Sequence, residues 1–327
     1  MNQPSFLILF SAPYMLPLAD RFKPVFNKFG IELIKPDVHE RLSESEILAY
    51  AGKFDGTICG DDQYTEKVIH ACLPRLKVIS KWGTGIDSID RQAAIRLGVK
   101  VGNTPNAFTL PVADSVLGYM LLFARKLLWM DRAMKQGIWE KIPGISLSEC
   151  TLGVIGVGNV GKAVLRRANA FGMKLLGNDI VPIEPSFLQE IPVRMVSLTE
   201  LLNGSDFVSV NADLNPSSWH LINFDTLSKM KSSAYLINTA RGPIVEEKAL
   251  IQALKTDKLA GVAMDVFEDE PLPLDSPLLS MDNVFLAAHN ANSSPAAWEH
   301  VHWNTIRNLL EGLGIENPDL SEFQGKI

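Results

Sequence analysis

Thr151-Leu-Gly-Val-Ile-Gly156-Val-Gly158-Asn-Val-Gly161 is the stretch on which the fold turns. Its first residues form an apolar run of strand length, and three glycines in GxGxxG spacing follow without a gap. Lys162–Phe171 then reads as a helix. Gly156 permits a tight turn, Gly158 lets the backbone approach a pyrophosphate, and Gly161 lets helix and strand pack closely. The N-terminus of that helix offers backbone N–H groups to the phosphates, and Asn159, Val160 and Gly161 beside it are candidate cofactor contacts. A second strand, Met173–Gly177, leads to Asp179, 18 residues after Gly161. A carboxylate there accepts from a ribose 2′-hydroxyl and repels a 2′-phosphate, so the cofactor read from this segment is NAD rather than NADP.

The same pattern extends outward from this anchor. Short apolar runs alternate with amphipathic stretches, as in parallel strands joined by helices. Upstream, strands are expected at Phe6–Phe10, Ile31–Ile34, Gly56–Cys59, Leu76–Ser80 and Val99–Val101. A helix over Ser43–Ala51 opens on a capping box, Ser43 with Glu46. A second alternation runs from Thr151 to about His289. Between the two lie an apolar helix from about Thr109 to Lys135 and a polar link, Gly137–Ser148. A last amphipathic helix near Pro295–Leu313 is able to return to the first domain. The chain of 327 residues is too long for one ordinary core. The expectation is an α/β protein of two doubly wound parallel-sheet domains. One is a discontinuous, flavodoxin-like substrate domain, residues 1–106 plus 293–327; the other is a Rossmann NAD-binding domain, residues 107–292.

Composition narrows the function. The chain is 46% hydrophobic and 21% charged, with a formal charge of -6. With no long Lys/Arg run it has no electrostatic footing for nucleic acid or an anionic membrane. An anionic substrate must then be held by a few placed cations or backbone N–H groups. Cys59, Cys72 and Cys150 are widely spaced with no CxxC pair, which points to a reducing, cytoplasmic setting and away from disulfides or a thiolate metal site. Phe6–Phe10 reads as a buried opening strand rather than a signal segment, because no Lys or Arg precedes it and Pro13 and Pro17 interrupt the apolar run. Val112–Met130 contains Asp114, Arg125 and Lys126, and so reads as a buried helix rather than a membrane span.

Ligands of open parallel sheets bind beyond the carboxyl ends of the strands. Three such ends carry useful side chains. Ala234–Asn238 is a strand followed closely by Arg241, Ala260–Asp265 runs into Glu268 and Glu270, and Val284–Ala288 ends in His289. Beside a nicotinamide these residues suggest a hydride-transfer site. Arg241 holds a substrate carboxylate or carbonyl oxygen through its planar fork. His289 gives or takes the hydroxyl proton, and Glu270 orients the ring and favours its protonated form.

Together with Gly83-Thr-Gly85-Ile-Asp87-Ser-Ile-Asp90, Val101-Gly-Asn103-Thr-Pro105-Asn-Ala and Pro111-Val-Ala-Asp114, these segments carry a resemblance over nearly the whole chain. The chain resembles the D-isomer-specific 2-hydroxyacid dehydrogenase family, in its phosphoglycerate dehydrogenase-like branch. The family's Arg, Glu and His fall on Arg241, Glu270 and His289, with the family's usual 29-residue gap from Arg to Glu. The resemblance implies an NAD-dependent oxidoreductase acting on a small D-2-hydroxy or 2-oxo acid. It implies two similar domains with a cleft between them, and a homodimer built largely on the cofactor domain. It implies that the N–H groups of Gly83, Thr84 and Gly85 bind the substrate carboxylate, with Trp82 and Asn106 beside them. Cofactor contacts are implied at Asn211, Thr239, Asp265 and Ala291, that of Asp265 being to the nicotinamide carboxamide. Corepressors that sense NADH share this fold and a similar triad, so turnover rather than the triad separates the two functions.

Several positions depart from the family. Asp114 stands where Glu is common, and Asn290-Ala291-Asn292 replaces a Gly-rich turn after His289. Gly56-Thr-Ile-Cys59-Gly60-Asp61-Asp62 is small and acidic where phosphoglycerate-type members carry an Arg, which weighs against phosphoglycerate as substrate. Trp82 either walls the substrate or packs its strand into the core. His300 and His302, two apart on a helix, face different ways, and no metal is expected. There is no GxSxG elbow for hydrolase chemistry. Trp129, Trp139, Trp298 and Trp303 fall in helical stretches and read as core or dimer contacts.

Overall fold

A computed structural model of the protein describes residues 6–324. The outermost residues of the expected substrate domain, 1–5 and 325–327, lie outside the described residues. The described chain forms two compact units, residues 6–107 with 294–324, and Phe108–Ser293.

The first unit is built on five parallel strands among the described residues: β1 (Phe6–Phe10), β2 (Ile31–Ile34), β3 (Gly56–Cys59), β4 (Val78–Lys81) and β5 (Lys100–Gly102). Their order is β2-β1-β3-β4-β5. The central strands β3 and β4 are buried throughout, as expected of a parallel sheet covered on both faces. The helix Pro295–Gly312 brings the chain back across β3, β4 and β5, and the Ser80 hydroxyl donates to the Thr305 carbonyl at 2.7 Å. On the other side the short helix Glu44–Leu48 has the anticipated capping box at Ser43 and Glu46.

Asp62 is fully buried in this unit. Its Oδ1 accepts from Leu42 N at 2.6 Å, and its other oxygen accepts from the Ser11 hydroxyl. Burial raises its pKa to about 6, and the two hydrogen bonds offset only part of that. A carboxyl with a raised folded value is held most easily when neutral. Its contribution is therefore full below the ordinary carboxylate range and is lost as pH rises through about 6. Asn at this position keeps an acceptor for Leu42 N and removes the charge. Asp62→Asn is expected to gain stability relative to wild type by about 3 kcal/mol between roughly pH 4 and pH 7. Urea unfolding at both values measures it, and a difference independent of pH would show that Asp62 ionises without penalty.

The second unit has seven parallel strands among the described residues: β6 (Thr151–Ile155), β7 (Lys174–Asn178), β8 (Val193–Met195), β9 (Phe207–Val210), β10 (Tyr235–Asn238), β11 (Gly261–Met264) and β12 (Val284–Leu286). Their order is β12-β11-β10-β9-β6-β7-β8. The two sheets give the α/β class and the doubly wound parallel architecture.

One expectation fails here. The single helix expected from about Thr109 to Lys135 is two helices, Thr109–Ala124 and Leu127–Lys135. The break falls at Lys126, in the left-handed region with φ +54°. Its ammonium donates to the Tyr235 hydroxyl at 2.8 Å and lies over the Trp129 and Tyr235 rings. These contacts hold a non-glycine residue where the backbone alone is disfavoured. The first helix buries a full face, Ala113 to Ala124, while the second buries no residue completely. Trp139 lies beyond both helices and is 87% exposed, so it is neither helical nor a core residue of this chain. No helix among the described residues is long and apolar enough to cross a membrane.

Candidate active site

Neighbouring strands of the seven-stranded sheet end level with one another. Ile155 is in register with Asn178 and Val210, Val210 with Asn238, Asn238 with Met264, and Met264 with Leu286. Whatever follows these strands therefore gathers along one edge. The winding reverses between β6 and β9, which is where a sheet of this kind opens a ligand crevice.

The glycine-rich loop lies at that reversal. Gly156 has φ +85°, and a Cβ there would stand 2.6 Å from Ala212 N; at Gly161 it would stand 2.1 Å from Gly156 O. At Gly158 it would meet nothing within 4 Å. Two glycines thus close the turn against protein, and the third leaves open space. The helix Asn159–Ala170 starts three residues before the expected Lys162, with Gly158 as its N-cap and no side-chain cap. A helix start without a side-chain cap suits an anionic ligand such as a phosphate. Val160 packs its side chain on the core. Asp179 accepts from Val157 N at 2.6 Å and from Val181 N at 2.9 Å, so it braces the loop.

Asn211 follows β9 and Thr239 follows β10. Asn211 Oδ1 and Thr239 Oγ1 are buried with no protein partner. A buried polar atom left unpaired costs about 1–3 kcal/mol, and a ligand bearing hydroxyl and amide groups relieves it. The open space over Gly158, the uncapped helix and these two oxygens fit NAD.

Next along the edge come His289, Glu270 and Asp265. His289 Nδ1 is 3.1 Å from Glu270 Oε2, and both side chains are mostly buried. The other Glu270 oxygen accepts from Phe267 N at 2.9 Å, fixing the carboxylate. Asp265 is 1% exposed, and its two oxygens accept from Asn290 N and Ala291 N at 2.8 and 2.9 Å. Burial pushes its carboxyl above the usual range, against the pull of those N–H groups. Its visible work is to pin the turn after His289, where His289 itself has φ +49°; one lone pair on each oxygen remains for a ligand amide. Arg241 follows β10, with its Nη1 donating to the Ala240 carbonyl at 2.8 Å and its own carbonyl held by Asn238 Nδ2 at 2.9 Å.

A second histidine–carboxylate pair went unnoticed in the sequence. His220 Nε2 lies 2.6 Å from Glu268 Oε1, with Trp219 stacked on the imidazole. Glu268 N donates to Glu247 Oε1 at 2.7 Å. Nothing in the spacing of His220 pointed to Glu268, because the loop after β9 and the turn after β11 meet only in the folded chain.

In the first unit Trp82, Gly83, Thr84 and Gly85 follow β4. Gly83 has φ +124° and Asn106 φ +63°. Thr84 Oγ1 donates to the Thr104 carbonyl at 2.9 Å, and Asn103 Nδ2 to the Thr84 carbonyl at 2.6 Å, so this turn is strapped to the chain after β5. Trp82 is 3% exposed, and its Nε1 donates to His302 Nδ1 at 2.9 Å. His302 is pushed down to about 4, chiefly by burial, and accepts this bond as a neutral ring. Among the described residues no three His, Cys, Asp or Glu side chains are grouped to hold a metal ion.

Comparison with known proteins agrees with this edge. Residues 117–291 match the family profile described as D-isomer specific 2-hydroxyacid dehydrogenase, NAD binding domain. A glyoxylate reductase of Korarchaeum cryptofilum is 40% identical over 248 residues, 74% of each chain. A hydroxypyruvate reductase of Thermotoga maritima is 37% identical over 296 residues, 89% of this chain and 94% of the other. The D-lactate dehydrogenase of Aquifex aeolicus, solved with NAD and lactic acid, superposes with a TM-score of 0.82 at 26% identity, covering 96% of this chain and all of that one. A nucleotide edge of this form and relatives this similar lead to one assignment: the chain belongs to the D-isomer specific 2-hydroxyacid dehydrogenase family, and NAD is its cofactor.

Proposed function

We propose that the protein interconverts a small 2-oxo acid and its D-2-hydroxy acid, with His289 as general acid and base. The observation that carries this is the 3.1 Å contact of Glu270 with His289, at the carboxyl edge that also holds the glycine-rich loop. Bound nicotinamide supplies or accepts the hydride. His289 uses the ring nitrogen that Glu270 does not hold. In reduction that nitrogen gives its proton to the carbonyl oxygen, and in oxidation it takes the hydroxyl proton. Glu270 fixes the tautomer and the plane of the ring. Arg241 presents its fork to the carbonyl oxygen or the carboxylate, drawing charge onto oxygen as the hydride arrives. Asp265, by holding the N–H groups of Asn290 and Ala291, keeps His289 from swinging with its turn.

The substrate carboxylate is assigned to the N–H groups of Gly83, Thr84 and Gly85, with Asn106 and Trp82 alongside. The first unit is accordingly the substrate domain and the second the NAD-binding domain. A short 2-oxo acid as substrate is supported by relatives named as glyoxylate and hydroxypyruvate reductases. A cytoplasmic setting accords with three buried free thiols, Cys59, Cys72 and Cys150. Homodimer formation accords with exposed Leu110, Leu127, Met134, Ile138 and Trp139 along one segment.

NADH oxidation followed at 340 nm with a panel of 2-oxo acids, alongside Arg241→Ala, tests the reading. Turnover by wild type with a loss of about a hundredfold or more in the variant is expected. NADH binding without turnover of any acid would overturn it, and sedimentation at the mass of one chain would remove the dimer.

A further inference from the structure

Arg241 and Glu270 are carried by the turns after β10 and β11, and one residue of the loop after β9 is bonded to both turns. That residue is His220. Its backbone N donates to the Pro243 carbonyl at 2.9 Å, just past Arg241. Its imidazole reaches the other turn, with Nε2 lying 2.6 Å from Glu268 Oε1, just ahead of Glu270. With Glu268 a carboxylate, the ring nitrogen is the donor.

Both attachments are reinforced. Beside the first turn, Ile222 N donates to the Ile244 carbonyl at 3.0 Å and Glu246 N to the Ile222 carbonyl at 2.8 Å. The loop thus runs parallel to the chain that follows Arg241, bridged at Ile222 and Val245. At the second turn Glu268 and Glu247 exchange bonds, Glu268 N donating to Glu247 Oε1 at 2.7 Å and Glu247 N to Glu268 Oε2 at 3.4 Å. His220 itself has little freedom. Its φ is +48°, its carbonyl accepts from Asn223 Nδ2 at 2.9 Å, and the Trp219 ring stacks on the imidazole at 4.8 Å, centroid to centroid. Carboxylates crowd this place. Burial raises the Glu247 carboxyl above its usual range against the pull of Glu268 N–H, and the charges of Glu268, Asp269 and Glu270 raise it further. An N–H held on Glu268 eases that repulsion on the turn that carries Glu270.

We propose that His220 is a positioning residue: its two bonds set the distance between the turn of Arg241 and the turn of Glu270, with the Glu268 carboxylate as anchor. The inference rests on the dehydrogenase reading above, in which Arg241 and the pair of Glu270 with His289 act on one substrate. Gly242 lies against the Phe267 backbone, which limits how near the two turns can come. The bonds of His220 limit how far they can part. In this role His220 needs no contact with substrate or cofactor, and its effect on the reaction passes through Arg241. A drift of the Arg241 turn by a few tenths of an ångström loosens its hold on the oxo acid and leaves the glycine-rich loop where it is.

The test measures kcat/KM for a reactive 2-oxo acid with NADH, and the Kd for NADH, in wild type, His220→Asn, His220→Gln and Glu268→Gln. His220→Asn is also made in the Arg241→Ala background. Asn is tolerated at positive φ but is too short to reach Glu268, whereas Gln keeps a donor at about the reach of Nε2. His220→Asn is expected to lower kcat/KM about tenfold with the Kd for NADH unchanged, and His220→Gln to recover most of the loss. In Arg241→Ala the same substitution is expected to change kcat/KM by less than about twofold, because the group it positions is gone. Glu268→Gln is isosteric and its site is partly exposed, so it decides the matter, alone and with Arg241→Ala, if His220→Asn does not fold; the expected loss is again about tenfold. An unchanged kcat/KM in the deciding variant overturns the proposal. So does a loss of equal size with and without Arg241, a loss that appears in the Kd for NADH, or a Gln variant at His220 as poor as the Asn one. Each of these leaves the dehydrogenase reading intact, since wild type still turns over. No turnover of any 2-oxo acid by wild type overturns that reading first, and this inference with it.

Discussion

His289→Asn is expected to lower kcat by about three orders of magnitude, roughly 4 kcal/mol of barrier, with little change in NADH affinity. Asn is preferred to Ala because His289 sits at φ +49°, where Asn is tolerated and Ala is strained. The variant removes the ring that Glu270 holds and leaves Glu270 bound to Phe267 N, so the surrounding turn has reason to survive. The rival is the second pair, His220 with Glu268. His220 is covered on one side by Trp219, and Glu268 is tied to Glu247, so this pair looks like a brace between the loop after β9 and the turn after β11. His220→Gln should therefore cost much less than His289→Asn in kcat. Single-turnover rates with NADH and a reactive 2-oxo acid give the comparison. Equal losses in the two variants would move the proton donor away from His289.

How far the sequence announced this arrangement depends on whether a feature was local. The strand–glycine–helix unit at Thr151–Gly161 was legible because the strand, the turn and the helix follow one another in the chain. So were β1, β2 and β3, whose apolar runs end where the structure ends them. Boundaries slipped by one to three residues where the apolar pattern continues past the hydrogen-bonded ladder, as at Leu76, which is buried ahead of β4 (Val78–Lys81). The break at Lys126 was not legible. It has no Gly or Pro, and its causes, Tyr235 and its ring, come from a distant strand.

The edge at the carboxyl ends of the strands divides in the same way. Arg241, Glu270 and His289 stand out in the sequence because each follows an apolar strand, and adjacent parallel strands of equal register bring such ends to one edge. Asp265 was anticipated as a cofactor contact, while its pinning of Asn290 N and Ala291 N became visible only in the fold. Trp82 illustrates the reverse. Its sequence position fitted either a substrate wall or a core contact, and in the fold it is buried with its Nε1 donating to His302 Nδ1. His302 lies far from Trp82 in sequence.

The contact least visible in sequence carries the second large effect. Gly242→Ala is expected to lower kcat/KM by about a hundredfold or more and to cost about 3 kcal/mol of stability. Gly242 follows Arg241 directly, and a Cβ there would lie 1.8 Å from Phe267 O and 1.9 Å from Phe267 C. Both are backbone atoms, so no flexible side chain can yield, and the turns after β10 and β11 have to separate. Those two turns carry Arg241 and Glu270, and Phe267 N is itself the donor that fixes Glu270. On the proposed reading both turns serve one substrate, and a shift approaching 1 Å between them is enough for a loss of about two orders of magnitude. Gly118→Ala is the matched control: in the helix Thr109–Ala124 an added Cβ meets nothing within 4 Å, and replacing a mid-helix glycine stabilises by about 0.5–1 kcal/mol. Thermal unfolding and kcat/KM measured on both variants separate the local clash from a general intolerance of the added methyl. If Gly242→Ala kept wild-type kcat/KM, the two turns could part without moving Arg241 or Glu270, and the close approach of backbone to backbone would have no part in aligning them.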